Sequence, residues 1–132
     1  MIRQNIREHT MQIVFQMETA GTFDYEQMTI LEENKVVLSE NQAIKTLSAI
    51  RDHIEQIDET IARNTDNWKP NRIAKTDLAI LRLAVCEMLF EDNIPVGVSI
   101  NEAVNLAKKY GDDRSYAFIN SVLSRVGKEI EA

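Results

Sequence analysis

Between Asp77 and Phe90 the chain holds Ala79, Ile80, Leu81, Leu83, Ala84, Val85, Met88 and Leu89. At 3.6 residues per turn these side chains cover almost the whole circumference of a helix. A helix apolar all round has no face for water and must be enclosed by other elements. The chain is therefore expected to fold around this segment as a central pillar.

The remaining periodicities supply elements to enclose it. Near the start, Ile2, Ile6, Ile13 and Met17 share one helical stripe with Thr10 and Val14 alongside, which predicts a helix from about Arg3 to Glu18 ended by Gly21. A shorter helix is expected over Tyr25 to Glu33. Ile44, Leu47, Ile50, Ile54, Ile57 and Ile61 recur at steps of three or four and mark a long amphipathic helix. Ser39, with Gln42 three residues on, reads as its capping box. Asn64 to Asn71 is rich in turn formers around Trp68 and Pro70, and a helical turn near Arg72–Lys75 is expected to lead into the pillar.

Beyond the pillar, Ile94-Pro95 favours extended backbone. Ser99 and Glu102 form the pattern of a second capping box, opening a helix that runs to Tyr110 with Gly111 as a left-handed stop. Phe118, Ile119, Val122, Leu123, Val126 and Ile130 define a last helix starting at Asp112 or Asp113. The expectation is an all-α fold of about seven helices.

Composition narrows the function. The chain has 132 residues, 44% of them hydrophobic, a size that buries a core without disulfide or metal staples. The single cysteine, Cys86, has apolar neighbours and reads as a buried thiol in a reducing cytoplasm. Polar residues interrupt the first turns, against a signal peptide, and no apolar run reaches the ~20 residues of a membrane span. His9 and His53 have no partners at ligand spacing, so neither metal nor cofactor is expected. Glu87, Glu91 and Asp92 read as helix-surface acids. Neither a phosphate loop nor a base-activated nucleophile is present, and the chain is not expected to be an enzyme.

The net charge is −6, which argues against strong nonspecific binding of nucleic acid. The deficit is local. Residues 21–68 carry four bases and ten acids, whereas the segments before and after are each neutral. Two sets of residues on those neutral segments are candidate contacts. Arg3, Gln4 and Arg7 with Phe15 combine cations and an aromatic ring on the first helix. Tyr110, Arg114, Ser115, Tyr116 and Phe118 surround the Gly111 turn. Cations beside rings are what single-stranded RNA recognition uses. Rings at helical spacing equally seal helix–helix crevices, so protein docking stays open beside RNA binding.

The order of motifs along nearly the whole chain resembles the NusB family of transcription antitermination factors. The residues that carry the resemblance are R-E-x-x-x-Q-x-x-F from Arg7 to Phe15, D-x-A-I-L-R-L-A-x-x-E from Asp77 to Glu87, and Ile94-Pro95. They continue with I-N-E-A-V-x-L-A-K-x-Y-G from Ile100 to Gly111 and S-x-x-F-I-N-x-V-L from Ser115 to Leu123. The resemblance implies one domain over residues 1–132, with an N-terminal helical sub-bundle of about 1–66 and a C-terminal one of about 67–132. It implies a factor that binds boxA RNA of ribosomal RNA leaders together with NusE, a small-subunit ribosomal protein, alongside other Nus factors and RNA polymerase.

Carried over residue by residue, the resemblance makes Arg3, Gln4, Arg7, Phe15, Tyr110, Arg114, Ser115 and Phe118 RNA-side candidates. Asp77 and Glu87 become candidate contacts to NusE. The family holds both monomers and homodimers. Gln4 and Asn5 stand where arginines are common, which implies weak RNA binding by the chain alone, and Ser121 replaces a usual glycine. The alternatives are a NusB-like domain of the kind fused to ribosomal RNA methyltransferases, for which no methyl-donor loop is present, and a helical adaptor or oligomerisation module with no RNA role.

Overall fold

The computed structural model describes residues 2–66 and 72–131, so Trp68 and Pro70 of the expected break lie outside the described residues. Six α-helices and one 3₁₀ segment, without strands, make up the regular structure of the described residues. The helices are α1 (Arg3–Ala20), α2 (Glu32–Val37), α3 (Asn41–Arg63), α4 (Lys75–Phe90), α5 (Val96–Tyr110) and α6 (Ser115–Glu131). The 3₁₀ segment, Tyr25–Ile30, precedes α2. The all-α expectation holds.

Helix α4 is the pillar. Every residue from Asp77 to Met88 is buried, and the helix packs against α1, α3, α5 and α6. Around it lie Ile13, Met17, Leu47, Ile50, Ile57, Ile61, Ile119 and Leu123, all essentially without solvent contact. Cys86 belongs to this core. Burial pushes its thiol far above the ordinary range, with the charges of Glu91 and Glu87 adding to the shift, and its Sγ faces the Thr46 carbonyl oxygen at 3.7 Å.

Several boundaries depart from expectation, and each has a local cause. The Tyr25–Glu33 helix is split, because Leu31 adopts extended backbone between the 3₁₀ segment and α2. Buried Asn34 fixes this break by donating to the Met28 carbonyl oxygen at 2.9 Å and to Gln16 Oε1 at 2.6 Å. Ser39 is not a helix cap. Its hydroxyl donates back to the Val36 carbonyl, Glu40 precedes the first residue of α3, and Gln42 donates its amide to Glu91 Oε1. Likewise Ser99 does not open α5, which starts one turn earlier behind Pro95. Proline suits a helix entrance because its missing N–H would lack a helical partner there.

The glycines divide similarly. Gly21 adopts φ 74° and closes α1, with its own N–H donating to Glu18 O and the Thr22 N–H to Met17 O, a Schellman pair. Gly111 has φ −89° and extended backbone, so it is not the expected left-handed stop. A methyl group there would overlap the Ser115 side chain and press on the Ala107 carbonyl oxygen at 2.8 Å. Glycine is required by close approach. One further feature has no signature in the hydrophobic pattern: α3 kinks at His53 (φ −127°, ψ 24°), whose ring stacks on Phe90 at 4.3 Å.

Candidate nucleic-acid interface

The buried face of α1 is wider than its apolar stripe and includes Arg7 and Met11 as well as Ile6, Thr10 and Ile13. Arg7 is admitted to the interior because α4 presents Glu87 opposite it. Arg7 Nε lies 2.8 Å from Glu87 Oε2 and Nη2 lies 3.1 Å from Oε1, a bidentate pair. Ser99 of α5 donates its hydroxyl to Glu87 Oε1 at 2.9 Å, and Glu102 adds a longer ionic contact to Arg7 at 3.9 Å. Burial opposes the charge of Arg7, but the hydrogen bond and charge of Glu87 outweigh it and raise the guanidinium pKa. Two expected contacts are thereby corrected. Arg7 and Glu87 face each other inside the protein, so neither presents an open surface to RNA or to a partner.

Along the outer edge a row of side chains ties α1 to α5. Gln4 reaches Glu102 at 3.5 Å, Glu8 accepts from Lys109 at 2.5 Å and from the Tyr110 hydroxyl, and Gln12 donates to the same hydroxyl at 3.0 Å. The Lys109 and Tyr110 hydrogen bonds hold the Glu8 carboxyl below its ordinary pKa. Tyr110 is therefore a pinned ring, crossed by Lys109 Nζ at 5.3 Å from its centroid. Arg3 is exposed at the open end of this row and makes no ion pair among the described residues.

Phe15, 36% exposed, separates two grooves. One, of about 420 Å³, runs past Met11, Gln16, Thr76 and Tyr110 with Glu33 at its edge. The other, of about 290 Å³, is lined by Thr19, Ala20, Met28 and Leu31. Both are rich in apolar surface, and Phe15 belongs to each.

A third groove, about 490 Å³, opens between the start of α4 and the α5–α6 corner. Arg72, Ile73, Asp77, Arg114, Ser115 and Phe118 are among its lining residues. Asp77 is thus a neighbour of three RNA-side candidates. It is buried, and its Oδ1 atom has no hydrogen-bond partner. Burial raises the pKa of its carboxyl; the nearby Ser115 hydroxyl opposes the shift and the Asp112 charge adds to it. Ser115 is itself buried and shapes the turn, accepting from the Asp112 N–H at 3.0 Å, while the Arg114 N–H donates to Asp112 Oδ1 at 2.8 Å. The Arg114 side chain is exposed and enters no ion pair.

Two contributors were not singled out from the sequence. Arg72 stands at the rim of the third groove. Lys108 holds its Nζ 5.5 Å from the centroid of Tyr116, a ring 46% exposed. The spacing of Lys108 and Tyr116 across the turn carries no helical signature, because they sit on two helices joined by a corner. Among the described residues no group of three potential metal ligands forms, and no helix is long and apolar enough to cross a membrane.

These features define an all-helical binding protein, in which apolar grooves around Phe15 and a charged groove at the α5–α6 corner flank one enclosed pillar. Residues 4–128 match the sequence profile of the NusB family. The transcription antitermination protein NusB of Agathobacter rectalis is 46% identical over 129 residues, covering 95% of this chain and 98% of that protein. That of Bacillus subtilis is 40% identical over 132 residues, covering 99% and 98%. Among solved structures, T. maritima NusB superposes with a TM-score of 0.85 at 35% identity, over 98% of this chain and 92% of the other. A crystal structure of the antitermination factors NusB and NusE in complex with dsRNA gives a TM-score of 0.80 at 25% identity, over 98% and 99%. The chain belongs to the NusB family.

Proposed function

We propose that this chain is a non-catalytic, cytoplasmic transcription antitermination factor that binds boxA RNA together with NusE, as part of a larger assembly with other Nus factors and RNA polymerase. The observation that carries the RNA half is the α5–α6 corner, where the uncommitted guanidiniums of Arg72 and Arg114 flank the half-buried ring of Phe118. Cation and ring together suit a single-stranded phosphate backbone with splayed bases. Arg3, with Gln4 beside it, extends this edge along α1. Membership of the NusB family and likeness to a NusB solved with NusE and dsRNA support the same reading.

The partner half falls to the two grooves around Phe15. Their apolar lining suits anchoring side chains of a protein, and Glu33 at the edge suits a basic one. Phe15 is better placed for that role than for base stacking, since it lies between the grooves and is separated from Arg3 by three turns of α1. A second reading, that of an oligomerisation module with no RNA role, draws on the same grooves, which a second copy of the chain would also cover.

The test is a gel-shift titration with boxA RNA and a scrambled RNA of equal length, each with and without NusE. Preference for boxA that strengthens with NusE is expected. Equal affinity for the two RNAs in the presence of NusE would sink the antitermination reading. Arg114→Ala is expected to weaken boxA binding by ~1 kcal/mol without changing NusE binding. Sedimentation of the free chain separates out the second reading: a tight homodimer that neither RNA nor NusE dissociates would favour it.

A further inference from the structure

The groove between α4 and the α5–α6 corner contains four acids and bases whose commitments differ. Asp66 is ion-paired with Arg125 at 2.9 Å, and Asp112 Oδ1 accepts the Arg114 backbone N–H. Arg72 and Arg114 have no ionic partner among the described residues. At the wall, Asp77 is more than nine-tenths buried, lines the groove, and leaves Oδ1 without any donor. A buried carboxylate oxygen left in that condition costs stability, and such exceptions call for an explanation. The side chain of Phe118, half-buried, forms part of the same wall.

We infer that this groove seats one nucleotide of the bound RNA, with its phosphate against Arg72 and Arg114, its base along Phe118, and an exocyclic amine of the base donating to Asp77 Oδ1. The inference rests on the RNA-binding reading above and adds a base preference to it. The groove's volume of about 490 Å³ lies within the ~300–1,000 Å³ range of small-ligand sites. A carboxylate acceptor pairs with the amine of cytosine and its analogues on adenine and guanine. Uracil is disfavoured because its single Watson–Crick N–H is flanked by two carbonyl oxygens that would face the carboxylate. A lysine or arginine from a basic protein would also satisfy Asp77. It would have to enter beside two unpaired guanidiniums, whereas a nucleotide brings the phosphate that matches them.

The experiment measures binding of the full chain with NusE to boxA RNA and to a series in which each amine is removed in turn. Cytosine becomes uracil, adenine becomes purine riboside, and guanine becomes inosine. For the wild type, one position is expected to lose roughly 5- to 150-fold in affinity, the size of a good base-specific contact. Asp77→Ala is expected to bind unmodified RNA as weakly as the wild type binds that one analogue, and to be indifferent to the amine there. Its losses at other positions stay unchanged. Asp77→Asn, which keeps a neutral acceptor, is expected to retain part of the preference, and the melting temperatures of both variants verify folding.

An Asp77→Ala profile identical to that of the wild type would overturn the inference. So would a wild type that binds boxA with no amine-dependent position. Loss of NusE capture by Asp77→Ala with its RNA profile intact would assign the groove to a protein cation instead. If the wild type with NusE fails to distinguish boxA from scrambled RNA, the RNA-binding reading itself falls, and this inference with it.

Discussion

Arg7 brings its charge into the interior, and what it meets there decides how substitutions at this position behave. The bidentate contact to Glu87, with Ser99 on the same carboxylate, replaces the water both groups have lost. Truncating one partner of such a pair strands the other charge, typically at a cost of ~3–5 kcal/mol. Arg7→Ala is expected to lower the free energy of unfolding by about that amount in urea denaturation. Arg7→Met combined with Glu87→Leu is expected to recover most of it, since no charge is then left unpaired. A loss below ~1 kcal/mol for the single variant would show that Glu87 finds water or another donor. Asp77 poses the opposite case, a carboxylate whose folded-state pKa is raised chiefly by burial. The folded chain then holds this proton more tightly than the unfolded chain. Stability from this group is therefore full at low pH and declines as pH rises through the carboxylate range. Asp77→Asn is expected to melt higher than the wild type near neutral pH, with the two curves converging below about pH 4. A gap that stays constant across that range would count against a titrating Asp77.

Among the elements, the α5–α6 corner is the one most dependent on a single residue. Gly111→Ala places a methyl group against Ser115 and the Ala107 carbonyl oxygen, so the corner must open and carry Arg114 with it. A destabilisation of ~1–3 kcal/mol is expected from such overpacking. Gly97→Ala is the internal comparison: nothing lies within 4 Å of the added methyl, and α5 is expected to gain up to ~1 kcal/mol. Urea midpoints for both variants check the contrast, and equal effects would mean that the corner yields freely. The helices themselves were legible wherever the apolar period was long, as in α3, α4 and α6. Their boundaries were less so, because Ser99 and Gln42 spend their polar groups on Glu87 and Glu91 of a distant helix. Short-range capping patterns carry no record of such partners. For the same reason Arg7 read as a surface cation, since its burial depends on a carboxylate eighty residues away. Arg114 and Phe118 were accessible to sequence reasoning because the Gly111 turn gathers them locally. Arg72 became visible only once α4 and α6 were packed side by side.

At the level of the whole molecule, an overall charge of −6 coexists with an RNA edge because most cations are already occupied. Arg51, Arg63, Arg82, Arg125, Lys35 and Lys109 are paired with carboxylates, as is Arg7 inside the core. Those left unpaired along α1 and the α5–α6 corner are Arg3, Arg72, Lys108 and Arg114. Each phosphate neutralised on a single strand releases counterion and adds about −0.7 to the slope of log K against log salt. With the chain alone, that slope is expected to be no steeper than about −3, so moderate salt weakens binding only modestly. A basic NusE docked beside Phe15 would contribute further phosphate contacts and steepen it. Titrations of boxA RNA over a series of potassium chloride concentrations, with and without NusE, read both values. A slope beyond about −5 for the chain alone would mean that paired cations such as Lys109 leave their carboxylates to meet RNA. In that event the Glu8–Lys109–Tyr110 row would act as a releasable latch across α1 and α5, and Glu8→Gln would leave the slope unchanged while tightening binding.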